Sequence, residues 1–281
     1  MSSPPSAGVG LKPDHYRAIL ERAPPDLWLE VHPENYMVAG GPRLAWLEAL
    51  RTGRTLSFHG VGASLGSAGP LCTDHLQRLR DLVLRFEPEM ISEHVAWTEG
   101  SGQYFADLLP MPLRRSSLEV LTTHIDEMQS FLKRQILVEN PSTYLRLPRD
   151  QDEPDFLIEL ARRTGCGLLI DVNNVHVSAV NTGFEAGAWI DAIPADLIGE
   201  IHVAGHAIDE RLGPSVLIDT HAAPVSDPVW ALLDRLLARV GPTPVLVERD
   251  GNIPPFEELL AERNRAQLAI ERVAGGIACI R

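Results

Sequence analysis

The chain has 281 residues, enough for one large domain or two small ones. Its 44% hydrophobic and 22% charged residues exclude a disordered chain. With 25 Lys+Arg against 38 Asp+Glu the formal net charge is −13, which disfavours bulk binding to nucleic acid or an anionic membrane.

The N-terminal MSSPPSAGVG lacks a basic region followed by an apolar stretch, so no secretory signal is expected. The first strand is expected at Gly8–Leu11, followed by a helix at 13–22, a strand at Leu27–Val31 and a helix at 42–52. Thr55–His59 reads as the third strand, 73–86 as a helix and Met90–His94 as the fourth strand. Ala96–Arg115 reads as a long loop. Ser116-Ser117-Leu118-Glu119 then forms a capping box, and Leu118, Leu121, Ile125, Met128 and Leu132 recur at helical spacing. Gln135–Glu139, a helix at 154–164, Gly167–Asp171, a helix at 184–193 and Gly199–Val203 continue the alternation. Asp227-Pro228 reads as N-cap and first position of a helix that Gly241-Pro242 stops, ahead of strand Pro244–Glu248 and a helix at 255–273. Ala274–Arg281 is expected to be a loose tail. No apolar run approaches the roughly 20 residues of a membrane span. Three cysteines (Cys72, Cys166, Cys279), without metal-binding spacing, point to a reducing compartment, by default the cytoplasm.

Near-continuous apolar strands alternating with amphipathic helices require parallel pairing and right-handed crossovers. A doubly wound nucleotide-binding sheet would want a Gly-rich turn leading directly into a helix. Gly60-Val61-Gly62-Ala63-Ser64-Leu65-Gly66 has the wrong spacing, and a long stretch separates it from the next helix. Eight strand–helix units therefore predict one (β/α)8 barrel spanning 1–281, a fold that takes roughly 250 residues.

Metal-capable residues mark the carboxyl ends of the strands: His59, His94, Glu139, Asp171, His202 and Glu248, with Asp219 and His221 in the loop after strand seven. In a barrel these ends converge on one mouth. Acids and imidazoles packed together there need cations to offset their charge. Mixed nitrogen and oxygen donors suit iron, manganese or zinc, and about eight donors suit two or three ions better than one. His206 belongs to the same end of the barrel, and Glu30 and Asn35 are expected as supporting groups. His15, His75 and His124 read as structural, and His32 and His176 as neighbours of the mouth. The loop after strand four, with Tyr104, Arg114 and Arg115, is expected to contact substrate.

The stretches EVHPENYM, SFHGVGASLGSA, ISEHVAW, DLLPMP, LVENPSTYLR, GCGLLIDVNNVHVSAVN, GEIHVAGH, LIDTHAAPV and VLVERDGNIPP resemble the multinuclear non-haem iron-dependent oxidases, the group that includes the methanobactin biosynthesis oxidase. The resemblance runs from about Gly8 to about Arg272. It implies a barrel holding two or three irons in mixed Fe(II)/Fe(III) states, with O2 as co-substrate. It also implies oxidation of a cysteine in a ribosomally made precursor peptide, and a separate protein that binds the peptide's leader. The eight residues above take the iron-ligand positions of the family motifs. Asn174, Asn140, His206 and Glu30 stand as further ligands or supports, and Asp250 as a proton-transfer group. A tyrosine is expected before Val177, and His176 stands there. In the chemistry expected, the substrate thiolate binds Fe(II) and an iron–superoxo species takes hydrogen from the cysteine β-carbon. The alternatives on the same barrel are a xylose-isomerase-like isomerase, an endonuclease-IV-like phosphodiesterase, and a metal-binding module without catalysis.

Overall fold

A computed structural model describes residues 5–100 and 102–278. The barrel strands are β1 (Ala7–Gly10), β2 (Trp28–Val31), β3 (Leu56–Gly60), β4 (Met90–His94), β5 (Leu137–Glu139), β6 (Gly167–Asp171), β7 (Ile198–Val203) and β8 (Val245–Val247). They pair in chain order, all parallel, and β1 meets both β2 and β8 to close the barrel. Strand positions agree with the sequence reading to within a residue or two.

Alternate residues of a strand face opposite sides, and the two sides of this barrel differ in chemistry. Outward-facing Val9, Leu29, Phe58, Ile91, Val138, Leu168, Ile170, Ile201 and Val247 join the helices in one continuous apolar core. The helix Thr73–Phe86 contributes Leu76, Leu79, Leu82, Val83 and Phe86, one face at three- and four-residue spacing. The alternating positions put Trp28, Leu137, Leu169 and Leu246 low in the lumen, and Glu30, His59, His94, Glu139, Asp171, His202 and Glu248 one step higher. The lumen is thus apolar at its floor and ionisable at its mouth. Its floor depends on glycine: a Cβ on Gly8 would lie 2.3 Å from the Trp28 ring, and one on Gly167 2.5 Å from Leu137.

Several features depart from the sequence reading. The segment after β6 is a helix, Val172–Thr182, because the Asp171 side chain caps it by accepting the Asn174 amide. Among the described residues there are therefore nine α-helices, one more than expected. The Ala96–Arg115 segment is not an open loop, since Trp97–Gly100 and Gln103–Leu109 pair as an antiparallel hairpin. A second hairpin, Ala207–Asp209 with Gly213–Ile218, follows β7. Helix Arg115–Leu132 starts one residue before the expected capping box, and its Arg115 amide is taken by Asp150 Oδ2 at 3.0 Å. Helix Asp227–Val240 has Ser226, not Asp227, at its N-cap. The last helix, Phe256–Ala278, carries through the start of the expected tail, and 279–281, with Cys279, lie outside the described residues. Cys72 and Cys166 are free thiols, and no helix among the described residues is long and apolar enough to cross a membrane.

Gly8→Ala is expected to lower the melting temperature by several degrees, because overpacking costs about 1–3 kcal/mol. An unchanged melting curve would mean that the Trp28 ring can move aside.

Candidate metal centre

The mouth is built around a triangle of three donor atoms. Glu139 Oε2 lies 3.0 Å from His59 Nε2 and 3.2 Å from His94 Nε2, and the two imidazole nitrogens are 3.2 Å apart. Donor atoms around one ion at roughly 2.1 Å stand roughly 3.0–3.4 Å from one another, so the spacing is that of a coordination sphere. The far side of each ring is already engaged. His94 Nδ1 faces the Gly60 carbonyl at 3.0 Å, which only accepts, so Nδ1 holds a proton and Nε2 is the nitrogen turned to Glu139. His59 Nδ1 meets Ser92 Oγ at 2.8 Å, while that hydroxyl donates to the Phe58 carbonyl, so Nε2 is again the nitrogen turned to Glu139. Glu139 Oε1 accepts from Asn174 Nδ2 at 3.3 Å, and Oε2 has no hydrogen-bond partner. These are the outer contacts that orient ligands in metal sites.

A second group lies beside it. Glu248 Oε2 is 3.3 Å from both His202 Nδ1 and His221 Nδ1, and Asp171, His221 and Glu248 present donor atoms within 4.8 Å of one another. Asp171 Oδ1 accepts the Asn174 amide at 2.6 Å, while its buried Oδ2 has no partner. Asp219 Oδ1 sits 2.7 Å from His221 Nε2 and accepts from Asn173 Nδ2. The segment carrying Asp219 and His221 reaches the mouth because β7 leads into Gly205, where a Cβ would lie 2.0 Å from the Ala223 carbonyl oxygen. His221 itself takes a left-handed backbone (φ 46°), a strain of the kind concentrated at functional sites.

The eight sequence-marked donors therefore meet at one mouth, with Asn174 and Glu30 among them. His206 stands one step out, its Nδ1 2.8 Å from Asn173 Oδ1 and its ring 5.0 Å from that of His176. Asp250 lies at the rim, 2.5 Å from Lys12 Nζ and 3.6 Å from His221 Nδ1. Asn140 is not free to bind a metal: its amide spends both ends on the Asp171 main chain, at 3.1 and 3.0 Å. Tyr104 is 68% exposed on the hairpin, and Arg114 and Arg115 start the helix after it, with Arg115 near Glu119. His15 and His124 are buried and bond backbone carbonyls, as structural histidines do. His32 Nδ1 lies 3.1 Å from the carbonyl of His59, and Asn35 lines a small cavity that reaches Glu248 and Asp250.

Three acids escaped the sequence reading. Glu200 lies two residues before His202 and so faces the lumen with it, a signal that strand alternation carries but strand-end marking does not. Glu34 accepts the amides of Val61 and Gly62, and Glu93 that of Ala63, so these carboxylates pin the loop after β3. His75 stands 3.6 Å from Glu34.

Residues 6–271 match the model of the family described as RiPP precursor modification enzyme MbnB/TglH/ChrH, and the chain belongs to that family. A UPF0276 protein of Caulobacter sp. (strain K31) is 57% identical over 93% of this chain and 95% of its own. A UPF0276 protein of Bordetella bronchiseptica is 50% identical over 96% and 94%. Among solved structures, endonuclease IV from Thermus thermophilus superposes with a TM-score of 0.58 at 15% identity, covering 95% of this chain and all (100%) of that one. D-psicose 3-epimerase crystallised with D-fructose gives 0.57 at 11%, over 95% and 97%. At such identity the two structures share the barrel alone.

Without a cation the centre balances its acids with protons. Burial pushes the His59 imidazolium down, but Glu30 and Glu139 outweigh it and raise the ring to about 10. Burial likewise raises Glu139, but His94 and His59 prevail and bring it to about 2. His202 and His221 are held well above the ordinary imidazole range, against burial, by Glu30 and Glu248 respectively. Asp171 is pushed well up, first by burial and then by Glu139 and Asp219. A cation must displace those imidazole protons. Loading apo protein with Fe(II) at pH 7.5 in weak buffer should therefore release protons that an indicator dye registers, and no release would refute this charge balance. The sign for stability follows from His59: its folded value exceeds the free value of 6.5. Apo protein should thus hold this stabilisation below pH 6.5 and lose it on approaching pH 10, as pH-dependent melting of apo protein can check.

Proposed function

We propose that this protein is a multinuclear non-haem iron oxidase that uses O2 to modify a cysteine of a ribosomally made precursor peptide. The observation that carries the reading is the His59–His94–Glu139 triangle. Two imidazoles and one carboxylate on one face, with the remaining positions open, form the ligand set of iron enzymes that activate O2. Buried oxygens without partners on Glu139 and Asp171 fit ligands of an ion. His59, His94 and Glu139 would hold one iron, and Asp171, Asp219, His221 and Glu248 a second. Bound iron would supply an open position for O2 and thiolate, together with the electrons that pass between them.

The chain's own residues prepare this chemistry. Ser92 and the Gly60 carbonyl lock the two imidazoles, and Asn174 holds Glu139 through one oxygen while leaving the other free. Asp250 is pushed up by burial and Glu248 but held below its usual range by His221 and Lys12. It is thus an anion at the rim, placed to take the proton of an arriving thiol. Beyond the rim runs a 530 Å3 groove whose walls include Val95, Met111, Pro141, Phe184 and Trp189. Val95 directly follows the ligand His94, so an extended peptide in the groove would carry its cysteine towards the metals. The Trp97–Leu109 hairpin, tied by Ser64 Oγ to the loop after β3, would cover that peptide. A separate protein would bind the leader, as the family resemblance implies.

Anaerobic Fe(II) reconstitution followed by addition of O2 and a cysteine-bearing precursor peptide should produce O2 consumption above background. His94→Ala and Glu139→Gln should each reduce bound iron and abolish the uptake. Zinc in place of iron, with no O2 consumed, would instead indicate hydrolytic or isomerase chemistry. Hydrogen exchange in residues 97–109 should slow when the peptide binds, and an unchanged rate would remove the hairpin from substrate binding.

A further inference from the structure

We infer that the groove beside the mouth selects a precursor peptide with a Lys or Arg within a few residues of its cysteine, and that Glu153 is the group that reads this cation. The inference rests on reading the groove as the path of the peptide and adds a specificity-determining residue to it. Glu153 is the first residue of helix Glu153–Thr164 and lines the 530 Å3 groove together with Trp189 of helix Ala186–Ala192. Trp189 Nε1 donates to Glu153 Oε2 at 2.9 Å, which fixes the carboxyl group against the wall. Among the described residues no other side chain or amide bonds to that group, so Oε1 is left to the groove. A mostly apolar site with one placed polar group is the usual way a pocket sets specificity.

The charges of the groove leave this carboxyl group uncompensated. Asp152, Glu153, Asp155 and Glu185 line it with Arg146 and Arg149 as the cations. Arg149 Nη1 is paired with Asp152 Oδ1 at 3.2 Å, and Arg146 Nε donates to the Thr182 carbonyl at 2.7 Å. Among the described residues no Lys or Arg forms an ion pair with Glu153, Asp155 or Glu185. A cleft with apolar walls and one excess sign of charge concentrates the opposite charge. Burial drives the Glu153 carboxyl up to about 7, and Trp189 and Arg149 oppose it only in part. A Lys or Arg arriving beside Oε1 restores the carboxylate and pairs with it where water competes little. An uncharged side chain does neither, and an acidic one is repelled. The groove also touches Val95, next to the ligand His94. A cation at Glu153 and a cysteine at the metals therefore belong to one short extended stretch of peptide.

Fluorescence anisotropy on the full-length protein, with O2 excluded, tests this. The probes are fluorescein-labelled heptapeptides of Ala and Leu with a central Ser in the cysteine's place, carrying Lys, Gln or Glu at each other position in turn. At pH 8 a Lys peptide should bind about tenfold more tightly than its Gln counterpart, and the Glu peptide more weakly still. That preference should shrink as the pH falls through about 7, where Glu153 takes up its proton. Glu153→Gln, which keeps an acceptor for Trp189, should bind Lys and Gln peptides alike. Equal binding of Lys and Gln peptides by the wild-type protein at every position, binding of none, or a Lys preference that survives in Glu153→Gln overturns the inference. O2 uptake by the iron-loaded enzyme would then leave the oxidase reading standing. A Lys preference lost in Glu153→Gln, in a protein that takes up no O2 after iron loading, upholds the inference and overturns the oxidase reading. If Glu153→Gln does not fold, the wild-type preference and its pH dependence decide.

Discussion

An ionisable group taken out of water must be paired, protonated or bound to a metal. This chain buries His59, His94, Glu139, Asp171, His202 and Glu248 in one barrel mouth, so that constraint governs the rest of the structure. Each donor needs a rigid strand beneath it and a fixed partner behind it. Those needs explain Ser92 behind His59, the Gly60 carbonyl behind His94, and Asn174 behind both Glu139 and Asp171.

The scaffold is specialised to meet them. A (β/α)8 barrel usually fills its interior with layers of branched apolar side chains. Here such packing is confined to a floor of Trp28, Leu137, Leu169 and Leu246, made room for by Gly8 and Gly167. Stability is supplied by the outer core between strands and helices, which leaves the lumen free to carry polar chemistry. The epimerase and the endonuclease share that scaffold, and the barrel by itself says nothing of the reaction. What sets this barrel apart is its donors, two imidazole nitrogens and a carboxylate oxygen spaced as around one ion.

Much of the barrel was legible because its periodicities are local. Apolar runs such as Gly167–Asp171 and the stripe Leu118–Leu132 show their faces within a few residues. The donors were legible because strand ends in a barrel have one place to go. Glu200 was not, since a lone acid inside a strand looks like any other polar residue until its neighbours across the lumen are known. Helix Val172–Thr182 was hidden because Asn173-Asn174 reads as a turn, and only the Asp171 cap reveals it.

By itself, then, the sequence determined the order of the eight barrel strands, the closed barrel, and which metal-capable side chains gather at its mouth, because these follow from hydrophobic period and residue type. Tertiary structure alone decided which nitrogen of His59 and of His94 faces Glu139, that Asn140 serves the backbone while Asn174 serves a carboxylate, and that Glu30 and Glu200 meet His202. Those outcomes depend on distances of a few ångströms between strands far apart in the chain. Local pattern carries no information at that scale.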